Sequence, residues 1–117
     1  MPTTTSTHPL HIQNIWYDAI ASGKKTWEGR LNDGCVSIIT VGDHIDFISE
    51  NREPLKAAVV GVQHFTDFEK MLDGEGLRRL LPGVGSVEEG LEIYRAFPGY
   101  REGEREFGAV VFQLELS

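Results

Sequence analysis

Cysteine is almost absent from this chain. Cys35 is the one thiol in 117 residues, so an internal disulfide is excluded and a reducing compartment is the default. No Cys/His pair stands at zinc-finger spacing, and His44 and His64 fall in predicted strands without metal-ligand spacing, so no metal and no cofactor are expected. Long hydrophobic runs are missing as well: no stretch approaches the ~18 apolar residues of a membrane span. The opening MPTTTSTHP has neither a basic nor an apolar leader segment, and the expectation is a cytoplasmic protein, nuclear if its source is a eukaryote, with no membrane partner. Positive charge is scarce. Eleven Lys and Arg against 18 Asp and Glu give a formal net charge of −7, which argues against whole-surface steering of a nucleic-acid backbone and confines any phosphate contact to a local site.

What is present is a globular composition, 40% hydrophobic and 25% charged, in a chain of the length that makes one domain around one core. Residues 2–9, rich in Thr, Ser and Pro, predict an unpacked tail, leaving 10–117 as the single domain. NIWYDAIASGKK sets Ile15, Trp16, Ala19 and Ile20 at helical spacing, with Asn14 as N-cap and Gly23 just past the end. KTWEGRL then reads as a strand, and VGD as a turn into a half-buried strand in which Ile45 and Phe47 alternate with His44 and Asp46. LKAAVVGVQH, residues 55–64, predicts a central strand buried on both faces at Val59, Val60 and Val62, with Gly61 at a bulge or close approach. Thr66 with Glu69 and Ser86 with Glu89 have capping-box spacing ahead of two helices, the second ending at Pro98 and Gly99. YREGEREF predicts a surface loop and FGAVVFQLEL a final strand. The order suits an α+β domain whose mainly antiparallel sheet curls into a small β-barrel flanked by short helices.

Chemistry concentrates in GKKTWEGRL, residues 23–31. In an extended segment Thr26, Glu28 and Arg30 share one face while Trp27, Gly29 and Leu31 take the other, so Glu28 and Arg30 meet at their tips or face a ligand together. Lys25, at the helix exit, can swing to the same cleft; a buried lysine can act as a base, whereas Arg30 stays charged and suits phosphate or carboxylate. The bland alternative is a solvated helix end in which Lys24 and Lys25 complement the helix dipole and Glu28 pairs with Arg30 at the surface. Trp16, Trp27, Tyr94 and Tyr100 are candidates to stack on a base. Ser37, Ser86 and Cys35 have no neighbouring His/Asp arrangement for nucleophilic catalysis. PGVGS at 82–86 lacks the Gly-Lys-Ser/Thr ending of a phosphate loop and reads as a turn. Arg78 and Arg79 either extend a basic rim or form a solvated face.

Read as a unit, IASGKKTWEGRL resembles the signature of the ASCH domain family, with Gly23, Lys25, Glu28 and Arg30 in the places of its Gly-x-Lys-x-x-Glu-x-Arg pattern. VGDHIDF and LKAAVVGVQHFTDFEKML resemble the family's later turn, strand and short helix. The resemblance implies a PUA-like barrel with a helix-lined cleft facing RNA or a nucleotide. The implied ligand-binding set is Gly23, Lys24, Lys25, Thr26, Trp27, Glu28 and Arg30. One branch of the family hydrolyses acetylated cytidine with the motif lysine, a threonine three residues on and a distant glutamate; other members have been linked to RNA cleavage. In a hydrolase of either kind, Lys25 and Glu28 would be the catalytic pair here. This sequence departs from the deacetylating branch: Glu28 stands where that threonine would be, and the distant glutamate has no clear counterpart, Glu75 being the nearest acidic candidate.

Overall fold

The computed structural model describes residues 5–116. Ten elements follow in order: β1 (Thr7–His11), α1 (Asn14–Ala21), β2 (Trp27–Leu31), β3 (His44–Ile48), β4 (Leu55–Phe65), α2 (Phe68–Leu72), α3 (Gly76–Leu80), α4 (Val87–Arg95), α5 (Tyr100–Phe107) and β5 (Ala109–Leu116). The strands form one sheet in the order β1-β3-β4-β5-β2. Every pairing is antiparallel except β1 with β3. The expected α+β class with a curled, mainly antiparallel sheet is therefore present, as a half-barrel: its two edge strands, β1 and β2, are not paired with each other. No helix among the described residues is long and apolar enough to cross a membrane.

Two hydrophobic clusters occupy the two faces of the sheet. Ile20, Val36, Ile45, Phe47, Val59, Val110 and Phe112 fill one side. Leu31, Phe68, Met71, Leu72, Leu80, Tyr94 and Val111 pack the helices against the other. Period-two alternation explains the split: along β5, Val110 and Phe112 turn one way and Ala109 and Val111 the other. The segment buried on both faces is thus residues 109–112 of β5. The expectation for residues 55–64 is corrected: Val59 is buried, but Val60 is 49% exposed and Val62 half-buried, because the helices of the second cluster cover the first half of β5 and leave that part of β4 open. The bulge at Gly61 is present, as a register shift between Val59 and Gly61 against β5.

Other local expectations divide between kept and moved. Gly23 ends α1 at φ +85°, Ser86 accepts the Glu89 N–H at 3.2 Å to open α4, and Gly42 turns the chain into β3. The N-cap of α1 is Gln13 and not Asn14, and Asp67 and not Thr66 caps α2, accepting the Lys70 N–H at 2.8 Å. YREGEREF is α5 and not a loop: Gly99, at φ +80°, starts it, and Gly103 packs so closely on Leu31 that a Cβ there would lie 2.7 Å from that side chain. Residues 1–4 of the expected tail lie outside the described residues; from Thr7 the chain is β1, where register with β3 outweighs local composition.

Asp43 pins this edge. Its carboxylate accepts the N–H groups of Ser6 and Thr40, both at 3.2 Å, and meets His8 Nε2 at 2.9 Å. The His8 contact, then the backbone N–H of Ser6, hold its carboxyl below the ordinary aspartate range. A carboxylate whose pKa is lower folded than unfolded stabilises above the unfolded value, and that stability is lost as pH falls through the folded value. Asp43→Asn is expected to lower Tm by several degrees at pH 7, with the gap to wild type closing below about pH 4. A gap that stays constant from pH 7 to pH 3 would contradict this role.

Candidate functional site

The site begins where α1 stops. The left-handed turn at Gly23, a backbone conformation that L side chains resist, sends the chain into β2 and folds Lys25 back beneath it. Lys25 is 2% exposed. Its ammonium donates to Trp27 O at 2.6 Å and to Leu80 O, at the end of α3, at 2.5 Å, and it pairs with Glu28 Oε1 at 3.0 Å. An ammonium has three donors, so all three are engaged. The Trp16 ring lies 6.0 Å from the same nitrogen.

Glu28, 5% exposed, holds a second cation: Arg30 Nε donates to Oε2 at 2.7 Å. Arg30 Nη2 then reaches across the open side of the sheet to His11 O on β1, at 2.8 Å. One side chain thereby bridges the two edge strands that no ladder joins. None of the described hydrogen bonds uses Arg30 Nη1, and with two cations on one carboxylate the trio carries one net positive charge. Burial pushes the Glu28 carboxyl up, but Lys25 and Arg30 pull it down further, so it stays ionised. Burial draws Lys25 below the ordinary lysine value, with Glu28 opposing. For Arg30, burial is outweighed by the Glu28 carboxylate and it is raised.

These charges lie at the base of a cleft of about 680 Å³ between β1 and β2, within the range of small-molecule sites. Trp16, Tyr94, Phe97 and Tyr100 supply an aromatic wall, and Ser49 and Glu50, at the end of β3, stand on the other side. The wall is braced from behind. Phe68 stacks on Tyr94 at 5.4 Å and 12° and on Tyr100 at 5.6 Å and 10°.

Of the residues singled out from sequence, Lys25, Glu28 and Arg30 converge here, and Trp16, Tyr94 and Tyr100 join them. Gly23 and Lys24 are exposed at the helix exit, outside the cleft. Thr26 sits on the far side, 3.5 Å from Arg79 Nη1, and Trp27 lies under the Arg79 guanidinium at 5.3 Å. Neither lines the cleft. Phe97 and Gly29 are cleft residues that sequence reasoning passed over, although the aromatic run around Pro98 in YRAFPGY carried a signal for the first.

The ASCH domain family profile matches residues 10–117. The crystal structure of a hypothetical protein, PH0355, superposes with a TM-score of 0.85 at 36% identity, covering 97% of this chain and 100% of that one. The solution NMR structure of Protein PF0455 from Pyrococcus furiosus gives 0.76 at 35% identity, over 94% and 96% of the two chains. The crystal structure of ASCH from Zymomonas mobilis shares the fold, at a TM-score of 0.61 and 17% identity, over 93% of this chain and 66% of that one. Among curated proteins none matches. With its motif, its half-barrel and this agreement over nearly its whole length, the chain belongs to the ASCH domain family.

Proposed function

We propose that this ASCH domain binds RNA or a nucleotide in the cleft between β1 and β2, with Arg30 taking a phosphate and the aromatic wall taking a base. The observation that carries the reading is the Arg30 guanidinium: Nε is tied to Glu28 and Nη2 to His11, while Nη1 is left out of the described hydrogen bonds at the base of an aromatic cleft. A guanidinium oriented in this way loses little further entropy on meeting an anion. A single net positive charge in a chain of −7 suits one or two phosphates and not a long duplex track. Lys25 and Glu28 serve in this reading by holding Arg30, and Gly23, Lys24, Thr26 and Trp27 frame them from outside.

The hydrolase alternative, acting on acetylated cytidine or RNA, needs a general base in the motif. Lys25 has every donor engaged, and Glu28 is held ionised and weakly basic by two cations, so the geometry favours binding. Mass analysis after incubation with acetylated cytidine or a mixed RNA is expected to find both unchanged. Conversion that Lys25→Ala abolishes would reverse the preference.

Arg30→Ala is expected to weaken binding of a short single-stranded RNA by about 10- to 100-fold, the loss of a charge-assisted contact. It should also reduce the slope of log affinity against log salt by roughly one. Fluorescence anisotropy across a salt series, with circular dichroism to confirm the fold, measures both. Unchanged affinity in a folded variant sinks the assignment of Arg30.

A further inference from the structure

The inner edge of β2 carries chemistry that the ion pairs do not use. Register with β5 decides which backbone groups face inward. Leu114 N donates to Thr26 O at 2.9 Å and Asn32 N to Gly108 O at 3.0 Å, so the even-numbered residues of β2 bond to β5 and the odd ones, Trp27, Gly29 and Leu31, direct N–H and C=O to the free edge. Trp27 gives its carbonyl to Lys25, and Leu31 gives its carbonyl to the Asp33 N–H. Neither group of Gly29 appears in any described hydrogen bond, although Gly29 is buried and lines the cleft. Buried backbone groups are almost always paired.

A second polar group meets it there. Tyr94 is 3% exposed, its ring is fixed against Phe68 and Phe97, and no described hydrogen bond uses its hydroxyl. A Cβ on Gly29 would lie 2.8 Å from Tyr94 Oη and 3.0 Å from Met71 Sδ. The missing side chain is what lets the phenol reach the strand. Burial, then the Glu28 carboxylate, raise the Tyr94 phenol well above its ordinary value, so it remains a neutral donor at working pH.

We infer that the outward backbone edge of Gly29, with the Tyr94 hydroxyl above it, is the seat that reads the hydrogen-bonding edge of a planar heterocycle, a ring that presents an N–H beside a carbonyl or ring-nitrogen acceptor. Gly29 C=O takes the ligand N–H and Gly29 N–H gives to its acceptor, as a neighbouring strand would pair. Tyr94 donates to a further acceptor. The aromatic wall covers the ring's faces, and Arg30 is left for an attached anion. In this arrangement main chain reads the base, and its selectivity comes from donor and acceptor order. The inference rests on the nucleotide-binding reading, and its test separates the two.

The four ribonucleosides are titrated into 15N-labelled protein, and the tightest binder is retested with its edge N–H methylated. The Gly29 amide is expected to shift with the binder, methylation to weaken binding about 10-fold, and Tyr94→Phe to weaken it about 2- to 10-fold. Tyr94→Phe should leave Tm unchanged or raised, since its hydroxyl has no hydrogen-bond partner among the described residues; a lowered Tm with unchanged affinity makes the hydroxyl structural and overturns its role. Nucleoside or RNA binding that ignores edge methylation and leaves the Gly29 amide unmoved overturns the inference while the binding reading stands. If no nucleoside binds, the binding reading fails at this site. The six-membered lactam 2-piperidone, which carries the same N–H and carbonyl edge, then decides: millimolar lactam shifts the Gly29 amide if the seat exists and does not if it is absent.

Discussion

Replacing Lys25 with methionine is expected to cost about 3–5 kcal/mol of folding stability, the magnitude for removing one partner of a buried ion pair. Methionine keeps most of the length and apolar stem of the lysine, so the loss isolates the ammonium. With it go three contacts: the pair with Glu28 Oε1 and the hydrogen bonds to the carbonyls of Trp27 and Leu80. Glu28, 5% exposed, would keep Arg30 alone, and two inward-facing carbonyls would lose their donor. The Leu80 contact also ties α3 to the motif across 55 residues of sequence, so the loss should be global and cooperative. Urea unfolding with a constant m-value measures it. Lys25→Met combined with Glu28→Gln should recover none of the loss, because Arg30 would then be left without the carboxylate that neutralises it. A single variant within about 0.5 kcal/mol of wild type would make the ammonium a bystander, as ordinary surface substitutions are.

Phe68→Ala should be comparably damaging, at about 3–5 kcal/mol for truncating a fully buried aromatic side chain. Phe68 is 0% exposed and stacks on both Tyr94 and Tyr100. Both rings belong to the cleft wall, so the cavity left behind lies directly under the proposed binding surface. Ligand affinity should fall together with stability, even though Phe68 itself does not line the cleft. Phe68→Leu refills most of the volume and should lose less of both. Chemical denaturation and a ligand titration on the same samples give the comparison. Phe68→Ala with reduced stability and unaltered affinity would show that the wall keeps its geometry without its brace.

Sequence reasoning was most accurate where one short-range rule sets the outcome. The end of α1 at Gly23 follows from a left-handed φ, the start of α4 from the Ser86 hydroxyl, and the alternation of β3 from a two-residue period. Gly61 marked a real shift in register. The misplaced features have competing determinants. Thr66 and Asp67 both suit an N-cap, and the turn geometry selects Asp67. Residues 100–107, dense in charge, look like a loop until Gly103 is seen packed on Leu31. Residues 7–9, which look like tail, become strand because β3 offers them an edge.

The sequence by itself determined the family signature and the local frame that puts Lys25, Glu28 and Arg30 within reach of one another, since helix termination and strand period act over a few residues. Tertiary structure decided what those side chains meet: Leu80 for Lys25, His11 for Arg30, and the Tyr94 hydroxyl over Gly29. It also decided that β1 and β2 remain open edges facing a cleft. These partners are distant in the chain, and sheet order, register and helix packing bring them together; no local periodicity encodes such contacts.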